Sequence, residues 1–377
     1  MLSLLKENEG FSEKELTLNF FFSTIPCHPP FGNSTTPPEE VGVSLQNTMK
    51  PSHIKAALAT LLAIRQPVFL WGPPGVGKSQ LVAQTAKAHN LALIDIRAIL
   101  LDPVDLRGIP RITETHTASW CPPAFLPKEE QTRGILFLDE LNAAPPLVQA
   151  ACYQLVLDRR IGEYLLPDGW CVVAAGNREG DRSVTHHMPT ALANRMVHLE
   201  CEVDINDWLL WAKGAGIRPE VTAFLQFRPK LLHDFDPARR ARAFASPRSW
   251  EFLSRILDAN PSPDIIAELA TGTIGPGASA EFLGFLTLWR ELPDVPHILA
   301  HPDTASVPEE PAALYALAEA LAQATSPATM DALVCYAQRL PVEFGVLLLR
   351  DACQKDPSLV SNPAFIAWAQ ANADVFL

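Results

Sequence analysis

The sequence predicts an α/β fold, a parallel sheet with helices on both faces followed by a mostly helical remainder, on three observations. An apolar run at residues 67–71 breaks into Gly72-Pro73-Pro74-Gly75-Val76-Gly77-Lys78-Ser79, a glycine-rich phosphate-loop pattern, and a helical stretch follows it. A second apolar run, residues 134–138, ends in the carboxylates Asp139 and Glu140. A third, residues 170–175, ends in Gly176-Asn177. Continuous apolar runs of this length suit strands buried on both faces, which deliver polar side chains at their C-terminal edge.

At 377 residues the chain can hold two or three domains, and 48% hydrophobic with 19% charged residues gives an ordinary globular composition with ample core. A net charge of -12 and the lack of a long basic run count against a polyanion wrapped over the surface. Seven scattered cysteines, with no C-x-x-C pair, oppose both a disulfide framework and a zinc site. Cys152, Cys171 and Cys201 lie among apolar neighbours and read as small core residues. His186 and His187 are adjacent, the wrong spacing for two helical metal ligands. The composition reads as reduced and cytoplasmic.

Residues 1–48 differ from the rest. An apolar patch at 18–25 precedes a run rich in Pro, Gly, Ser and Thr, and it is too short and too interrupted for a signal peptide or a membrane span. The compact part is expected to open at Met49, with 1–48 a poorly ordered or non-native extension, or else a docking tail. Ile54, Leu58, Leu61 and Leu62 recur at helical spacing, so residues 51–63 form a helix. In the loop that follows the first strand, Gly72, Gly75 and Gly77 let backbone N–H groups close on an anion. Lys78 places a point charge on the β and γ phosphates, and Ser79 ligates Mg²⁺. A helix from Gln80 to about His89 directs its positive N-terminal end at the same phosphates.

Residues 91–97 form the second strand, with Leu91, Leu93 and Asp95 on one face. Residues 102–108 are polar and turn-prone, either a surface turn or a partner loop. In the acidic strand, Asp139 holds the metal and Glu140 deprotonates a water. Residues 143–158 form a helix, 159–170 a small hairpin, and 170–175 a strand. If that strand neighbours the acidic one, Asn177 reaches the attacking water.

The Gly72–Ser79 loop, the Asp139-Glu140-Leu141-Asn142 stretch and Ala174-Ala175-Gly176-Asn177 together resemble AAA+ ATPases of the MoxR and dynein-related type, over roughly residues 50–255. The resemblance implies a five-stranded parallel sheet over 49–205, a helical lid over 206–290, and a hexameric ring binding ATP between subunits. A C-terminal helical region then covers 291–377. The resemblance further implies that Arg195, in Pro189-Thr190-Ala191-Leu192-Ala193-Asn194-Arg195-Met196, is an arginine finger reaching the adjacent subunit's γ-phosphate, with Arg178 and Arg182 as rivals. Arg248, in Ala245-Ser246-Pro247-Arg248, resembles the sensor 2 residue acting in cis. Either arginine also reads as a surface ion pair. One departure stands out: Ala143 occupies a place where many relatives carry arginine.

The family resemblance implies a chaperone-like remodeller of a protein client, commonly beside a separate partner with a von Willebrand factor A-type domain. A nucleotide-gated assembly switch and a nucleic-acid-acting motor are the alternatives, the latter disfavoured by the acidic balance. No membrane partner is expected.

Overall fold

A computed structural model describes residues 48–128, 133–181, 186, 188–239 and 241–372 of the chain. Of the expected extension 1–48 all but Thr48 lies outside them, as do Arg182 and His187.

The strands of the main sheet are β1 (Thr48–Met49), β2 (Val68–Trp71), β3 (Ala92–Arg97), β6 (Gly134–Asp139), β9 (Trp170–Gly176) and β10 (Val197–Cys201). Two hairpins interrupt this series, β4 (Ile109–Ile112) with β5 (Ala118–Cys121), and β7 (Arg160–Ile161) with β8 (Tyr164–Leu165). The main sheet is parallel throughout, in the order β1-β10-β2-β9-β6-β3. It has six strands where five were expected. The sixth is the two-residue β1, where the incoming chain pairs Thr48 with Glu200 and Met49 with Cys201 at the sheet edge. The acidic strand β6 and β9 are neighbours, with Leu138 beside Ala174.

Burial on both faces explains the apolar runs. Every residue of β9 is buried, as are the first five of β6. At the start of β6, a side chain on Gly134 would meet the Trp170 ring at 2.6 Å and the Ala92 carbonyl at 2.7 Å, so the close approach of three strands requires glycine. Helices α1 (Pro51–Ala63) and α2 (Lys78–Ala88) cover one face, and α1 buries Ile54 and Leu58 there. The opposite face packs against α4 (Pro146–Asp158) through Val148, Cys152 and Leu155.

The expected polar loop at 102–108 is instead α3 (Pro103–Arg107), a short helix leading into the β4–β5 hairpin. The Asp105 carboxylate accepts from the Asp102 N–H at 2.8 Å, and Pro103 supplies a first helical residue that needs no donor. The helix expected from 143 begins at Pro146 instead. Ala144 and Pro145 are extended, as residues preceding proline prefer, and a 3₁₀ turn at Leu141–Ala143 takes up the gap.

After α5 (Thr190–Ala193) and β10 the described chain is helical: α6 (Ile205–Ala215), α7 (Pro219–Phe227), α8 (Pro247–Asp258), α9 (Pro263–Ile274) and α10 (Pro276–Arg290) share one core around Phe224, Trp250 and Phe282. The remaining helices, α11 (Val295–Ala300), α12 (Pro311–Ala324), α13 (Met330–Ala337), α14 (Val342–Lys355) and α15 (Pro363–Ala371), build a second core around Leu321, Tyr336 and Leu348. Polar bonds join the two groups. Lys213 donates to Asp351 at 2.9 Å, Gln226 donates to Asp351 at 3.0 Å, and Thr222 donates to Glu319 at 3.2 Å.

Candidate nucleotide site

The loop between β2 and α2 leaves the sheet at the C-terminal ends of its strands. Gly75 and Gly77 take φ of +82° and +93°, where a side chain is strained, and Gly77 caps α2. A Cβ on Gly75 would stand 2.8 Å from Ser246 Oγ, so the loop also lies directly against the start of α8. The Arg248 N–H donates to the Gly75 carbonyl at 3.3 Å, and Gln80 Nε2 donates to Glu251 of the same helix at 3.3 Å. Pro73 and Pro74 shape the turn between the glycines, and Val76 turns inward into the core of the α1–α2 face.

Lys78 is buried. Its ammonium donates to the Gly72 carbonyl at 2.6 Å, the Pro73 carbonyl at 3.1 Å and Asn177 Oδ1 at 3.0 Å. Burial lowers its pKa, aided by nearby Arg248 and opposed by Cys201, Asp139 and Asp181. Ser79 Oγ donates to Asp139 Oδ2 at 2.9 Å, which sets a hydroxyl and a carboxylate oxygen side by side. Two hard oxygen donors with open surroundings suit Mg²⁺, which keeps several of its own waters. Among the described residues no cluster of three His, Cys, Asp or Glu side chains offers an alternative metal site.

Glu140 follows at φ +55°, an uncommon conformation for glutamate, and its N–H donates to Asp139 Oδ1 at 3.0 Å. Beside the loop, a cleft of about 200 Å³ is lined by Lys55, Val76, Gln80, Asp207, Trp208 and Trp211, an apolar and aromatic setting suited to a planar base.

The structure thus brings together Lys78, Ser79, Asp139, Glu140, Asn177 and Arg248. It does not bring Arg195 to them. Arg195 precedes β10, whose Val197 pairs with Val68 at the N-terminal end of β2, while the phosphate loop follows Trp71 at the other end. Arg195 is exposed, and its carbonyl accepts from Gln66 at 3.2 Å. The rival Arg178 is engaged within its own chain by an ion pair with Glu200.

Two contributors went unmarked in the sequence reading. Asn142 donates from Nδ2 to the Asn177 carbonyl at 2.7 Å, and Asp181 accepts from the Arg178 N–H at 3.0 Å.

Residues 67–196 match the AAA domain (dynein-related subfamily). The matched segment encloses the phosphate loop, the acidic strand, Asn177 and Arg195. Over 222 residues the chain is 27% identical to midasin of Giardia intestinalis, a match covering 55% of this chain and 4% of that much longer protein. Among solved structures, NtrX from Brucella abortus in complex with ATP is 15% identical, with a TM-score of 0.38 over 90% of this chain and 70% of that one. A mutant of RuvB from Thermotoga maritima is 18% identical, with a TM-score of 0.38 over 72% of this chain and 82% of that one.

Proposed function

We propose that this chain is a Mg-ATP-hydrolysing AAA+ ring ATPase that acts as a MoxR-like chaperone or remodelling factor on a protein client. The observation that carries the reading is the meeting of Lys78 with Asn177 and of Ser79 with Asp139 at one strand edge, with Glu140 next in the chain. These are the parts that hydrolysis needs beyond binding; a nucleotide-gated switch needs only the loop.

The geometry supports the following roles. The Gly72–Ser79 backbone and Lys78 hold the β and γ phosphates, and the base enters the Trp208 cleft. Ser79 and Asp139 would hold Mg²⁺, which supplies neutralisation of phosphate charge. Asn177 orients the attacking water, and Glu140 takes its proton as the oxygen attacks phosphorus in line with the departing ADP oxygen. Arg248 approaches the same phosphates from α8, whose backbone already contacts Gly75. Arg195, exposed at the far end of the sheet, acts on a neighbouring subunit's nucleotide. That is why a ring, most simply a hexamer, forms part of the proposal.

A protein client is favoured over nucleic acid by the surface that flanks the sheet. Ile109, Ile112 and Trp120 of the β4–β5 hairpin are exposed, as are Leu147 and Leu165, and the Trp120 N–H donates to Glu163 at 3.3 Å, which joins the two hairpins. A separate protein with a von Willebrand factor A-type domain is the partner the reading suggests. Among the described residues no helix is long and apolar enough to cross a membrane; the proposed location is the cytoplasm.

Glu140→Gln keeps the shape of the site and removes the base. It is expected to bind ATP with unchanged affinity while turnover falls by about 100-fold or more. Nucleotide titration beside a phosphate-release assay checks this, and turnover at the wild-type rate would remove Glu140 from the mechanism.

A further inference from the structure

We propose that Asn142 is a positioning residue that fixes Asn177 for the attacking water and joins it to the segment leading to Arg195. The inference rests on the hydrolytic reading of the site.

Asn142 sits in the 3₁₀ turn after Glu140 and is 2% exposed. Its Nδ2 donates at 2.7 Å to the backbone carbonyl of Asn177, the residue whose Oδ1 accepts from Lys78 at 3.0 Å. A carbonyl can only accept, so the amide orientation of Asn142 is settled, and its Oδ1 is turned toward Gly176. There the oxygen is buried without a hydrogen-bond partner among the described residues. A Cβ on Gly176 would stand 2.1 Å from it. Packing alone does not explain this arrangement, because an apolar side chain would fill the space without burying an unpaired acceptor. The single bond to Asn177 is what the polar residue supplies.

The backbone of Asn142 is also held. Its carbonyl accepts from the His186 N–H at 2.7 Å and from Gln149 Nε2 at 3.3 Å. Gln149 is 3% exposed, donates to the Ala144 carbonyl at 2.9 Å, and accepts from the Tyr153 hydroxyl at 2.6 Å. One residue therefore touches the backbone of Asn177, the first turn of α4 through Gln149, and the chain that runs on to Arg195. His186 and Arg195 are nine residues apart in the chain, so the bond from His186 to Asn142 ties the start of that segment to the residue that holds Asn177.

The test is a double-mutant cycle in the full chain, with kcat and KM for Mg-ATP and the Kd of a fluorescent ATP analogue measured for the wild type, Asn142→Ala, Asn177→Ala and the double variant. A residue acting through Asn177 lowers kcat by about 10- to 100-fold, leaves Kd within about threefold, and adds nothing once Asn177 is gone. Equal fractional losses of kcat in both backgrounds, or a change in KM alone, would overturn the proposal. If Asn142→Ala loses its folded circular-dichroism signature, Asn142→Ser takes its place, since it removes less volume and its hydroxyl falls short of the Asn177 carbonyl. A wild type that binds but does not turn over defeats the hydrolytic reading. The ratio of ATPγS to ADP affinity then carries the cycle: a shared, non-additive shift in Asn142→Ala and Asn177→Ala supports positioning, and independent shifts refute it.

Discussion

The Lys78 ammonium, which the proposed reading sets against the nucleotide's phosphates, has three acceptors, the Gly72 and Pro73 carbonyls and Asn177 Oδ1, none of them an anion. Burial lowers its pKa from the ordinary 10.5, so between the depressed value and 10.5 the folded protein binds fewer protons than the unfolded chain. The sign follows from linkage: the cost of burying this ammonium is greatest below the depressed value and is relieved as pH rises through that window. Phosphate oxygens reverse the shift. ATP binding on the alkaline side of neutrality should therefore take up a proton, in the amount of a fraction of one per site, visible as a dependence of calorimetric binding heat on buffer ionisation enthalpy. Lys78→Met should abolish that dependence; its persistence would place the proton elsewhere. Most site residues were legible because they fall in short contiguous patterns, Gly72 to Ser79 and Asp139-Glu140. Asn142 was visible only as a letter in such a pattern, because its partner carbonyl lies 35 residues away and the contact exists only once β6 and β9 are neighbours.

Strands and long helices follow from apolar spacing, and α1 falls on the residues its stripe predicts. Short elements did not declare themselves. Helix α3 has five residues, less than two turns, and all four residues of β4 are exposed, so neither carries a readable period. The bonds between the two helical groups were equally invisible. There Glu319, 1% exposed, accepts from Thr222 and Gln323 through Oε1, while its Oε2 has no hydrogen-bond partner among the described residues. Burial, then the nearby Asp351 carboxylate, raises the Glu319 pKa, opposed by Gln323, Lys213 and Thr222. Asp351 is held ionised, against its own burial, by Arg350 and Lys213. A raised carboxyl contributes stability that is present below its ordinary value and lost as pH rises through the folded one. Glu319→Gln keeps the Oε1 contacts and cannot ionise. It should match the wild type near pH 4.5 and exceed it at pH 8 by about 1 kcal/mol or more, read from urea unfolding at both pH values. An equal loss of stability at both would show that the carboxyl is not the source.

Across the whole molecule, Lys78, Ser79, Asp139 and Asn177 meet within one chain, whereas Arg195, the proposed finger, stands exposed at the N-terminal ends of the strands. On the proposed reading a single chain is incomplete alone, and arginine fingers in other nucleotidases supply about 10³- to 10⁵-fold in rate. The parallel sheet and the helical remainder were foreseeable from the apolar runs and the family resemblance, but of the strand order only the adjacency of β6 and β9 had a chemical reason to be expected. The ring is expected from the family resemblance alone, because no single-chain pattern encodes which exposed surface meets a copy of itself. The most direct measurement is steady-state ATP hydrolysis against protein concentration, with Mg²⁺ present and mass measured by light scattering on the same samples. Specific activity is predicted to rise from near zero as a ring-sized species appears. Activity that is already full in the monomer and indifferent to concentration would contradict a site completed between subunits.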